Sequence, residues 1–167
     1  MNTIITIGRE LGSGGRTIGK LIASKLGMGM SYGFSNKGLP LFDQIYIAQT
    51  KVINELADKG SCVIVGRCAD YILKERKNLL RVFIYSDMEH RIERAVQLYG
   101  MLQQTAQKEI QKSDKERARH YTIFTDKTWG ERAKYDLLLN SGSIGVEKCA
   151  DLICDMAAQT ETAWRKA

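Results

Sequence analysis

A length of 167 residues fits one domain better than two, and a composition 44% hydrophobic and 8% aromatic can bury a core, which excludes disorder. The net charge of +6, from 25 Lys and Arg against 19 Asp and Glu, favours anionic partners; the basic residues are interleaved with acidic ones, which favours small-molecule nucleotides over nucleic acid. Apolar runs such as Val63-Ile64-Val65 fall far short of the roughly 20 residues that cross a bilayer, and the strand-like start leaves no room for a signal peptide, so the expected location is cytoplasmic with no membrane partner.

Taken in order, Asn2–Ile7 reads as a strand, Gly8–Gly15 as a glycine-rich loop and Arg16–Leu26 as a helix with Ile18, Leu21, Ile22 and Leu26 on one face. Asp43–Lys59 is a second helix stopped by Gly60, and Ser61–Val65 a strand buried on both faces. Ala69–Lys74 reads as a short helix, Leu79–Tyr85 as a strand, and Met88–Leu98 as a helix capped by Asp87 and closed by Gly100. Thr105–His120 is a charged helix, Tyr135–Asn140 the last strand and Val146–Ala158 the last helix. The alternation predicts an α/β fold with a parallel central sheet and right-handed crossovers. Gly27–Pro40 and Met101–Lys134 fit it poorly, and long segments on a compact sheet are usually lids or binding loops. Cys62, Cys68, Cys149 and Cys154 form no Cys-x-x-Cys pair and share no zinc spacing with His90 and His120, so they read as reduced thiols.

The segment from Gly8 to Thr17 sits where a strand turns into a helix, which is where backbone N–H groups and the helix dipole favour phosphate. Gly12, Ser13, Gly14, Gly15, Arg16 and Thr17 are therefore the expected cofactor-binding residues. Arg16 would meet the outer phosphates of ATP, and the Thr17 hydroxyl would reach Mg2+. Against G-x-x-x-x-G-K-[ST], Arg16 stands at the lysine position and Glu10 at the first glycine. The bland alternative is a flexible turn.

Gly66 and Arg67 lie at the carboxyl end of a buried strand, the edge where open α/β sheets bind ligands. Arg67 suits the phosphate of a second substrate and Asp70 a sugar or base; the alternative is that Arg67 pairs with a carboxylate such as Asp70. In the charged helix Asp114 and Arg117 share a face, as do Lys115 and Arg119. Such a run is either a solvated helix or a source of cations that close over a transferring phosphoryl group.

Three ordered stretches, Arg9-Glu10-Leu11-Gly12-Ser13-Gly14-Gly15, Val63 to Leu73, and Tyr135 to Ser141, resemble the cytidylate kinase-like family of bacteria. The resemblance implies a single P-loop NTPase domain over 1–167, a three-layer sandwich with a helical lid at 101–134. It also implies ATP-dependent, Mg2+-assisted phosphorylation of CMP or dCMP. Arg67 would hold the acceptor phosphate, Asp114 would contact the base, and Arg117 with Arg119 would act with Arg16 in catalysis. Cys68 replaces an aspartate of the family's Gly-Arg-Asp motif, with Asp70 nearby, and Ile110 replaces a lid arginine for which Lys108 or Lys112 could serve. The segment 27–41 is either genuinely short or missing residues, and the second is favoured. A kinase of another small acceptor and a nucleotide-binding sensor with little turnover remain alternatives; no protein partner is readable.

Overall fold

The strand β1 (Ile4–Arg9) is apolar on both faces, which suits only a central strand covered on both sides. The computed structural model, which describes residues 2–32 and 42–164, places it there. The other strands are β2 (Gly29–Tyr32), β3 (Cys62–Val65), β4 (Leu79–Tyr85) and β5 (Leu137–Asn140). They form one parallel sheet in the order β2-β3-β1-β4-β5. The chain builds to one side of β1, then crosses to the other, so the carboxyl end of β1 lies at a topological switch point.

The helices, in chain order, are α1 (Gly15–Leu26), α2 (Phe42–Asp58), α3 (Ala69–Ile72), α4 (Met88–Tyr99), α5 (Ala106–Thr125), α6 (Ser141–Ile144) and α7 (Val146–Trp164). Because side chains alternate along a strand, Ile5 and Ile7 face one layer and Ile4 the other. On the first face Ile18 and Ile22 of α1 and Ile153 of α7 pack over Ile5, Ile7, Val63, Val65, Leu80 and Val82. On the second, Ile53 and Ala57 of α2 meet Ile4, Ile64, Leu73 and Leu79. The result is the expected three-layer α/β sandwich.

The expected caps of α4 are present: the Asp87 carboxylate accepts the His90 N–H, and Gly100 ends the helix in the left-handed region. Two elements depart from the sequence reading. Gly29–Tyr32, read as aperiodic, is the edge strand β2; an edge strand half-open to solvent carries no clean alternation. Asn140 begins the one-turn helix α6, its side chain accepting from the Gly142 and Ser143 N–H groups. Of the segment 27–41, residues 33–41 lie outside the described residues.

The segment 101–134, expected as a lid, folds chiefly as α5, which is longer than the predicted helix and anchored by buried Ala106, Ile110, Tyr121 and Thr125. Ile110, which takes the place of a family arginine, is fully buried, so an arginine there would have to enter a packed contact. Lys108 and Lys112 flank it on the exposed side.

Candidate functional site

Glycine is needed at two points of the loop. Gly12 and Gly14 have φ of +79° and +81°, a conformation strained for any other residue. A Cβ on Gly12 would also lie 2.6 Å from the Arg91 carbonyl oxygen. Gly14 caps α1 without a side-chain hydrogen bond, no acidic residue occupies the first turn, and the first helical bond runs from Ile18 N–H to the Gly14 carbonyl. The N–H groups of Gly15, Arg16 and Thr17 thus precede the helical ladder, at the positive end of the helix dipole. Ser13 is turned inward: its N–H and Oγ donate to the Glu10 carbonyl at 3.3 and 2.8 Å. From the far side, the Ser141 hydroxyl donates to the Ser13 carbonyl and pins the loop to the end of β5.

Four arginines gather at this loop. Arg9, at the end of β1, lies against Gly15 and Gly66. Burial, then the positive charges of Arg117, Arg16 and Arg67, push its pKa down to about 9. Arg117 reaches from α5 to donate to the Arg9 carbonyl at 3.1 Å, and burial lowers its pKa too. Arg67, in the left-handed region at φ 61°, donates to the Tyr32 carbonyl at 2.6 Å. Arg16 stacks its guanidinium 3.8 Å from the centre of the Tyr32 ring and holds that phenol below its ordinary pKa. Tyr32 at the end of β2 therefore holds both Arg16 and Arg67. Such a cationic ring beside first-turn helix N–H groups suits a polyanion chemically.

A second set of contacts holds the loop's outer wall. Arg91 of α4 is buried and donates through Nε to the Leu11 carbonyl at 2.8 Å. Its Nη atoms pair with Asp114 and, at 3.4 Å, with Glu10. Asp114 also accepts the Leu11 N–H at 2.9 Å, and Glu10 accepts the Ser86 N–H at 3.1 Å. Glu10 thus ties the loop to the end of β4, and burial raises its carboxyl pKa.

The expected site residues do not all meet. Arg16, Arg67 and Arg117 converge with the loop glycines and Thr17, which lies in the first turn of α1. Asp114 was expected to face a substrate base; instead both its oxygens are engaged by Leu11 and Arg91, inside the buried wall. Asp70 accepts the Tyr121 hydroxyl at 2.8 Å and is desolvated under α5, so its pKa rises; Arg67 pairs with Tyr32 rather than with it. Arg119 is exposed, and two residues along an α-helix turn it to nearly the opposite side from Arg117.

Arg9 and Arg91 went unassigned in the sequence. The signal for Arg9 was its parity, since Ile5, Ile7 and Arg9 point to one side of β1. Arg91 lies one helical turn before buried Ala95, on the inward stripe of α4.

Beside the loop lies a cavity of about 280 Å³, bordered by Gly12, His90, Glu93, Arg94 and Gly142. Among the described residues no helix is long and apolar enough to cross a membrane, and no three His, Cys, Asp or Glu side chains cluster as metal ligands.

A parallel sheet of this order, with a glycine loop opening the first helix and arginines over it, defines a P-loop kinase fold. The chain belongs to the cytidylate kinase-like family, which its residues 28–143 match. A cytidylate kinase of Archaeoglobus fulgidus is 30% identical over 169 residues, 89% of this chain and 91% of that protein. An uncharacterized protein of Eubacterium ventriosum has a crystal structure similar at a TM-score of 0.85 and 30% identity, covering 93% of this chain and 98% of that one. Shikimate kinase of Acinetobacter baumannii, solved in complex with shikimate, is similar at a TM-score of 0.61 and 16% identity over 95% and 94% of the chains, a likeness of fold.

Proposed function

We propose that this protein transfers the terminal phosphoryl group of ATP to a nucleoside monophosphate, with CMP and dCMP the leading acceptors. The observation that carries the reading is the convergence of Arg9, Arg16, Arg67 and Arg117 on the uncapped start of α1. In the transfer, the bond between the γ-phosphorus and the β–γ bridging oxygen breaks, leaving its electron pair on ADP. A new bond forms from an acceptor phosphate oxygen to the same phosphorus. Little covalent work falls to the protein, which positions both phosphates and stabilises charge as it spreads. The loop amides and arginines suit that task, and the cavity beside Gly12 has room for the donor's base.

Magnesium fits a site of this composition. Thr17 offers a hydroxyl, and magnesium is commonly held by one or two protein groups plus the nucleotide's phosphates. Thr17 would help hold the ion, which would supply positive charge to the phosphates, while Arg67 and Arg117 would flank the acceptor side.

A second acceptor class is favoured by one observation. Asp114, the group expected to read cytosine, is spent on Leu11 and Arg91. The same phosphoryl transfer to another small hydroxyl or phosphate acceptor accommodates this. The test is a screen of purified protein with ATP, magnesium and a panel of monophosphates and small metabolites. CDP or dCDP formation supports the leading reading, and turnover of another acceptor supports the second. ATP binding with no transfer to any member would overturn both and leave a nucleotide sensor.

A further inference from the structure

We propose that Arg9, from the end of β1, supplies the donor-phosphate cation of this site, in place of a loop lysine or its apparent substitute Arg16. The inference rests on the phosphoryl-transfer reading above and assigns one part of it.

In the familiar loop the lysine follows the last glycine at the start of the helix. Counting Gly15 as that glycine puts Arg16 in the lysine position. The backbone gives another register: Gly14 is the cap at φ +81°, and Gly15 is the first helical residue. Glycine in a helix is destabilising relative to alanine, and Gly15 is not in the left-handed region that would require it. Space is the reason it is there. A Cβ on Gly15 would lie 2.6 Å from the Arg9 Cβ and 2.9 Å from its Cγ. The volume in which a lysine stem would start is occupied by the stem of Arg9.

The far end of Arg9 reaches Gly66, just past β3, a position that a φ of +77° already reserves for glycine, and its Nη1 lies against that residue. Arg9 thus runs from the start of α1 to the mouth between β1 and β3, with Gly15 making room for its stem. Arg16, by contrast, is stacked on Tyr32. The surroundings of Arg9 complete the case. Its chief charged neighbours are Arg117, Arg16 and Arg67, and burial and their repulsion pull its pKa to about 9. A desolvated guanidinium ringed by cations is an unfavourable arrangement until an anion enters, and a polyphosphate is the anion this ring fits.

The test uses Arg9→Ala, Arg9→Met, Arg16→Ala and the double variant Arg9→Gly with Gly15→Lys, glycine being needed at position 9 because the Arg9 Cβ is itself the nearest obstacle at 2.6 Å. Arg9→Met keeps the stem against Gly15 and removes the charge, so it answers even if the alanine variant does not fold. Three quantities are read: the thermal midpoint without ligand, the shift given by inorganic tripolyphosphate, and ATP–magnesium affinity with turnover. Without ligand, Arg9→Met should melt at or above wild type, because a repelled charge is gone. The tripolyphosphate shift should vanish, and turnover should fall on the order of a hundredfold or more. Arg16→Ala should reduce the shift less than Arg9→Met does. In the double variant a lysine enters the vacated space, and at least a tenfold recovery of turnover over Arg9→Ala is expected. A purely structural role for Arg9 predicts a lower midpoint and no rescue. If Arg9→Met keeps the tripolyphosphate shift and turnover, or Arg16→Ala alone abolishes them, the assignment is wrong while the kinase reading stands. If wild type binds neither tripolyphosphate nor ATP, both fall.

Discussion

Asp70 shows how one residue can look like a ligand group and act as an anchor. Its carboxylate accepts the Tyr121 hydroxyl, and desolvation raises its pKa although that bond, backbone amides and Arg81 pull the other way. With a folded-state pKa above the unfolded one, the native state holds the proton more tightly. Stability from this group is therefore greatest below the unfolded carboxylate value of about 4 and declines as pH rises toward the folded value. Asp70→Asn keeps an acceptor for Tyr121 and removes the buried charge. It should match or exceed wild type in stability at pH 7, with the advantage fading as pH falls from the folded value toward about 4 and absent below that. Asp70→Ala leaves the Tyr121 hydroxyl without its acceptor and should cost about 1–3 kcal/mol. Denaturant melts across pH check both; an asparagine variant that is less stable at pH 7 than at pH 4, relative to wild type, would contradict the assignment.

At the scale of elements, α5 is joined to the phosphate loop by Asp114 and Arg117, three residues apart on one helix face. That pairing was legible in the sequence; what the pair would face was not, because the buried Arg91 and the Leu11 backbone come from distant segments. The strands and helices around the loop were legible for local reasons: apolar runs for β1, β3 and β4, and Asp87 and Gly100 as caps of α4. The edge strand β2 was not, since its fit depends on Cys62–Val65 beside it rather than on its own pattern. The roles of Arg9 and Arg91 were hidden for the same kind of reason: both depend on which cavities other elements leave. Arg91 is 6% and Asp114 17% exposed at the side chain, so their pair is shielded from water. Removing one member of a buried pair typically costs about 3–5 kcal/mol. Asp114→Ala should fall near the lower bound because Glu10 remains near Arg91, and Asp114→Asn should cost less because its amide oxygen still accepts from Leu11. Unfolding measurements together with acceptor KM separate the roles. An alanine variant with unchanged stability but a raised acceptor KM would return Asp114 to the substrate site.

For the whole molecule, the proposed phosphate site lies where β1, β3, α1, α4 and α5 meet, on both sides of the point where the sheet reverses its order. Two features of this site oppose compactness: several like charges held together, and the first-turn N–H groups of α1, which precede the helical ladder. A bound triphosphate relieves both and connects segments from opposite halves of the chain. ATP with magnesium should therefore stabilise the entire fold rather than one loop. At a ligand concentration of 100 times Kd the expected gain is about 2.7 kcal/mol. In a domain of this size each kcal/mol moves Tm by about 2–4 °C, which gives a rise of about 5–11 °C. The phosphates should carry most of it, so adenosine at the same concentration should give a small fraction of the shift. Sodium chloride at matched ionic strength should give little, because screening weakens the repulsion without filling the site. A scan in which adenosine stabilises as much as ATP would place the binding energy in the cavity beside Gly12 and not in the arginine ring. A scan in which salt alone reproduces the ATP shift would reduce the ring to a general surplus of charge.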